Sequence, residues 1–173
     1  FSYLRHHNTE SATQLTFSSL IARNDEYSRQ AEGFELGLEH KIYLRNGERT
    51  RIYVSGSVDY LNKDHRAETN LRIPEENRPE WEWDRFTRLV DIEKRFINFT
   101  PRIGMEQYIT KRLVLEAYTG IGMRFRNVRM PGIDPETVVP NDGWFWDSEG
   151  LSNSPGKNFG LNFDANFRIG IQF

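Results

Sequence analysis

The stretch Phe159-Gly160-Leu161-Asn162-Phe163-Asp164-Ala165-Asn166-Phe167-Arg168-Ile169-Gly170-Ile171-Gln172-Phe173 decides the fold. Its odd positions are all apolar, and its even positions are glycine, asparagine, aspartate, arginine or glutamine. Side chains alternate across a strand, so the run carries one greasy face and one polar face. A helix would show a period of 3.6, whereas this run keeps a period of 2 without a slip. At 15 residues it also outruns the ordinary soluble strand of about 5–6 residues.

The same alternation recurs upstream. In residues 112–128, Leu113, Leu115, Ala117, Thr119, Ile121, Met123 and Phe125 oppose Val114, Glu116, Tyr118, Gly120, Gly122, Arg124 and Arg126. In residues 97–109, Ile97, Phe99, Ile103, Met105 and Ile109 oppose Asn98, Thr100, Arg102, Gly104 and Glu106. Residues 51–62 set Ile52, Val54, Val58 and Tyr60 against Tyr53, Ser55, Ser57 and Asp59, and residues 33–44 set Phe34, Leu36, Leu38, Ile42 and Leu44 against Glu35, Gly37, Glu39 and Lys41. Residues 11–22 repeat the pattern more weakly, and Phe1 to Arg5 reads as a strand remnant. One segment is out of phase: Phe86, Val90 and Ile92 are even, while the apolar residues from Ile97 onward are odd. A bulge near Arg95-Phe96 is expected to reconcile them.

Connections supply an independent signal. Residues 129–157 and 63–91 read as long loops and 23–32 as an intermediate one, while Thr110-Lys111, Arg45-Asn46-Gly47-Glu48 and His7-Asn8-Thr9-Glu10 read as tight turns. Asn46-Gly47 favours type I′ geometry. Long loops at one end and short turns at the other are the layout of a membrane barrel, with the turns in the periplasm. The expected fold is therefore all-β: residues 1–173 form a single antiparallel, up-and-down transmembrane β-barrel. Its expected count is eight strands, with the first missing from this sequence, because such barrels normally have an even number.

Composition agrees with this class. Only 37% of the residues are hydrophobic and mean hydropathy is -0.70. No run of roughly 18 apolar residues exists to make a transmembrane helix. A net charge of -2 argues against a nucleic-acid partner, and the lack of cysteine removes disulfides and thiolate metal sites.

Alternation alone does not say which face looks outward, since a lipocalin-like barrel gives the same string. Three features favour the membrane reading. The polar face mixes glycines with Arg102, Glu106, Glu116, Arg124, Asp164 and Arg168, which suits a narrow lumen filled by ion pairs. Tyr43, Tyr60, Tyr108, Phe125, Phe159 and Phe173 lie near strand ends, as interfacial girdles do. The last strand runs to Phe173 with no tail over its edge.

The ending Phe167-Arg168-Ile169-Gly170-Ile171-Gln172-Phe173 resembles the C-terminal signal of bacterial outer-membrane proteins. That resemblance implies that Phe167, Ile169, Ile171 and Phe173 are read by the barrel-assembly machinery. The segments Gly33 to Leu44 and Leu115 to Phe125 resemble small uncharacterised outer-membrane barrels of the Bacteroidetes type, within the OmpA/OmpX-like eight-stranded class. The resemblance covers most strands and few loops, and it implies a location in the bacterial outer membrane among its lipids.

No catalytic, cofactor or metal constellation emerges. His40 falls on the apolar phase of its strand, His6 and His7 map to a turn, and His65 has only Asp64 beside it. Asp142, Asp147 and Glu149 lack the spacing of a calcium loop. The lumen charges suggest a salt-bridged plug rather than a pore, since eight strands enclose a space just wide enough for side chains. A lipid-facing Phe163 is expected to reject arginine, and Asn162→Ser to cost much less. Trp81, Trp83, Trp144 and Trp146 form two W-x-W pairs, each with both indoles on one face of an extended segment. They are the candidate partner-binding residues, the alternative being an outer-leaflet girdle. The expected function is a non-enzymatic structural or accessory subunit that contacts another envelope protein. A surface ligand-binding or adhesion barrel and a lipid-modifying enzyme or protease are the alternatives.

Overall fold

A computed structural model describes residues 1–25, 28–72, 84–134, 136 and 155–171. They form seven strands: β1 (Ser2–His6), β2 (Ser11–Asp25), β3 (Ser28–Asn46), β4 (Thr50–Arg72), β5 (Arg85–Tyr108), β6 (Leu113–Arg129) and β7 (Gly156–Ile171). Each strand pairs antiparallel with its neighbour in sequence, giving one sheet of order β1-β2-β3-β4-β5-β6-β7. No α-helix occurs among the described residues, and β1 and β7 are not paired with each other. The remnant at Phe1 to Arg5 is a strand, and the sheet stays open.

Three tight turns sit at one end. Asn8 Oδ1 accepts from the Glu10 and Ser11 amides at 2.9 and 2.7 Å, which closes the β1–β2 turn. Thr110 Oγ1 does the same for Arg112 and Leu113 at 3.1 and 3.0 Å between β5 and β6. Between β3 and β4, the Gly47 amide donates to the Thr50 carbonyl at 3.0 Å. At the opposite end the strands run further than expected. Residues 63–72 and 85–91, read as loop, belong to β4 and β5, and the 23–32 connection shrinks because Asp25 already pairs with Ser28.

The sheet is strongly rolled. Arg168 Nη1 on β7 lies 3.3 Å from Glu39 Oε2 on β3, yet four steps across a flat sheet would separate those strands by about 19 Å. The concave face holds the polar phase. Lys41 and Lys94 are 1% and 0% exposed there, whereas Phe163 and Ile169 on the convex face are 58% and 68% exposed. That arrangement inverts the ordinary rule for water-soluble proteins, in which apolar side chains are inside and lysines outside.

Near one end the polarity flips. Ala67, Leu71, Val90, Ile92, Val128 and Met130 form a buried apolar cluster with Ile133 packed against it. The outer face beside it carries Asp64, Arg66, Asp91 and Glu93. The expected bulge near Arg95-Phe96 is absent, because β4 and β5 stay in one register from Thr50↔Gln107 to Arg72↔Arg85. From Val90 to Glu106 the even positions of β5 face inward, and it is the interior that changes from ionic to apolar. The girdle assignment is also corrected in part: Tyr43 is buried on the concave face, and Tyr108 is hydrogen-bonded to Arg51.

Gly104 illustrates how tightly the interior is filled. A Cβ there would overlap the ring of Tyr53, its cross-strand partner, whose hydroxyl is itself held by Glu116 at 2.5 Å. Gly56 meets nothing within 4 Å. Gly104→Ala should therefore cost about 1–3 kcal/mol through overpacking, and Gly56→Ala should be neutral or slightly stabilising. Urea titration of both variants checks this, and equal midpoints would refute it.

Candidate functional site

The concave face is built as a column of ionic layers. Alternation places Lys41 of β3, Tyr53 of β4, Glu106 of β5 and Glu116 of β6 on the same side of their strands. Lys41 Nζ bonds Glu106 at 3.0 Å and also Glu116, and it lies 4.6 Å over the Tyr53 ring. Tyr43 donates its hydroxyl to Glu106 at 3.1 Å. Beneath this layer, Arg51 stacks against Tyr43 and Tyr108 and donates to the Tyr108 hydroxyl at 2.8 Å.

The next layer centres on Arg102, whose side chain is 5% exposed. Its guanidinium reaches Asp59 at 2.9 Å, Glu39 at 3.4 Å and Asp164 through Nε at 2.7 Å. Arg168 bridges Glu39 and Glu116 and donates to the Tyr118 hydroxyl at 2.7 Å. Ser55 and Ser57 satisfy further carboxylate lone pairs on Glu39 and Asp59. Higher up, Arg124 donates to Asn98 at 2.9 Å and Asn162 at 2.5 Å, and Asn162 donates to Thr100 at 3.0 Å. Asn162 thus joins the network at two points. Above these layers the apolar cluster closes the column.

Such a column is charge paired within the sheet. Buried ion pairs add little net stability over an apolar filling, but removing one partner is costly because the other charge stays buried. Sequence reasoning gathered Arg102, Arg124, Arg126, Arg168, Glu106, Glu116 and Asp164, and the structure brings most of them together. It did not single out Glu39, Lys41 and Asp59 or the tyrosines that cap them. Their parity on the strands was the available signal.

The histidines separate. His6 stacks on Tyr43 with ring centroids 5.9 Å apart. His7 and His40 both bond Thr13 Oγ1, at 2.8 and 3.0 Å, on the exposed side of β2 and β3. His65 is buried on the concave face, while Asp64, one residue earlier, lies on the other side of β4. Among the described residues no group of three His, Cys, Asp or Glu could hold a metal ion. Phe167, Ile169 and Ile171 stand on the exposed convex face. Trp81, Trp83, Trp144, Trp146 and Phe173 lie outside the described residues, as do Asp142, Asp147 and Glu149.

Comparison with protein-family models, with curated proteins and with solved structures finds no match.

Proposed function

We propose that this chain is a transmembrane β-barrel of a bacterial outer membrane that acts without catalysis, as a structural or accessory subunit of an envelope complex. One observation carries the reading: an ion-paired, buried concave face behind a convex face of exposed Leu, Ile, Phe and Met. Water would penalise that exterior, and hydrocarbon would not. On β3 the convex apolar residues run from Phe34 to Leu44. At about 3.4 Å per residue and a tilt of about 40°, that span rises about 26 Å, the height of an outer-membrane apolar band.

In hydrocarbon every backbone polar group needs a partner, so the free edges of β1 and β7 call for one more strand between them. That gives eight, an even number. Ion pairs that cross-link the concave face favour a scaffold that displays its loops. The paired tryptophans Trp81, Trp83, Trp144 and Trp146 are the proposed contact for another envelope protein, because indoles concentrate binding energy at interfaces.

The test is membrane fractionation with affinity purification in mild detergent. Wild type should fractionate with the outer membrane, show heat-modifiable gel mobility and bring down a stoichiometric partner. Replacing the four tryptophans with alanine should release that partner while mobility stays heat-modifiable. A partner retained by the variant overturns the contact, and a protein found in the soluble fraction overturns the membrane reading.

A further inference from the structure

The convex face carries a groove of about 480 Å³ across β4 to β7, within the range of about 300–1,000 Å³ common for ligand sites. Its floor is a cross-strand row: Tyr60 pairs with Ile97, Ile97 with Phe125, and Phe125 with Phe159. Two residues up each strand, roughly 7 Å away, lies a second row in which Arg95 pairs with Asn127 and Asn127 with Lys157. Arg126 also lines the groove. The aromatic floor is firm, with Phe125 and Phe159 centroids 5.1 Å apart.

We propose that this groove binds the phosphorylated headgroup of an anionic lipid, with Arg95 and Lys157 on the phosphate and acyl chains lying down over Phe125 and Phe159. The inference rests on the membrane reading above. What identifies a lipid rather than a soluble anion is continuity. Below the floor row the apolar surface continues through Phe99, Met123 and Leu161 and, on β7, on to Ile171. A soluble phosphate would leave that surface unused. Charge above and hydrocarbon below is the polarity of one lipid molecule.

Acidic neighbours do not close the site. Glu93, in the row above, lies 3.8 Å from Arg95, and both side chains are more than a third exposed. That separation is too long for a hydrogen bond and the pair is solvent-screened, so a doubly charged phosphate competes well for the guanidinium. The polar group of Asn127, on the convex phase of β6, supplies hydrogen-bonding capacity beside the cations.

The experiment places the purified barrel in nanodiscs of phosphatidylcholine containing about one tenth phosphatidylglycerol, and native mass spectrometry counts lipids retained after release. Wild type should keep the anionic lipid in preference to phosphatidylcholine. Arg95→Gln with Lys157→Gln should weaken retention about tenfold to thirtyfold, since each cation near a membrane surface adds about 1 kcal/mol. Inorganic phosphate at millimolar concentration should fail to displace the lipid. Equal retention by the double variant, or full displacement by inorganic phosphate, overturns the proposal while the barrel reading stands. A protein that does not enter these discs overturns the barrel reading, and this inference with it.

Discussion

Arg102→Leu should lose about 3–5 kcal/mol of folding free energy, because it strands buried carboxylates that no longer have their cation. Asp59, with a side chain 9% exposed, loses the cation it pairs with, and Glu39, 4% exposed, is left with Arg168 alone. Arg102→Lys keeps the charge but not the fork that spans Asp59, Glu39 and Asp164, so its loss should be smaller. An exposed pair provides the contrast. Arg66 meets Asp91 at 2.5 Å, but their side chains are 57% and 61% exposed. Arg66→Leu should therefore leave the urea midpoint unchanged, as solvated ion pairs contribute little. Equal losses at Arg66 and Arg102 would mean that the ionic column is not buried as described.

If the convex face meets hydrocarbon as proposed, Phe163→Arg should destabilise the protein in lipid by about 2–4 kcal/mol, the cost of a cation on the lipid face of a membrane barrel. Phe163 is 58% exposed and lies between Phe159 and Ile171 along the apolar side of β7. Asn166→Ser, on the opposite phase of the same strand, should cost far less. The measurement is a denaturant titration of folding into vesicles. A polar detergent-free solution offers a second reading, since there Phe163→Arg should improve solubility rather than harm it. Equal tolerance of both substitutions in vesicles would remove the claim that the convex face meets hydrocarbon.

Most of the sheet is legible from the sequence because a period of 2 survives wherever the two faces meet different media. Phe159 to Phe173 show this without a slip, and Glu116 and Tyr118 fall on the buried face as their parity requires. The part that misleads is residues 86–95. There Val90 and Ile92 look like a change of phase, which suggests a bulge, but the strand keeps phase and the media change sides. A single strand cannot distinguish these cases, because the same apolar residue marks a dry interior or a greasy exterior. Tyr43 is a related case: an amphipathic ring at a strand end suits an interface, but its odd position on β3 puts it inward with Glu39 and Lys41, where its hydroxyl meets Glu106. The ion pairs are least legible, since Glu39 and Arg168 are far apart in the chain and meet only once the sheet is rolled.

The strands also differ in how far they rise beyond the row through Leu36, Tyr60, Ile97, Phe125 and Phe159. From Tyr60, β4 continues 12 residues to Arg72, whereas β7 begins at Gly156, 3 residues from Phe159. At about 3.4 Å per residue these are about 40 Å and about 10 Å along the strand. Among the described residues the strand ends therefore form a slope, with β4 and β5 standing as a tall fin and β7 as a low sill, so the paired wall of the sheet is about four times taller on one flank of Phe125 than on the other.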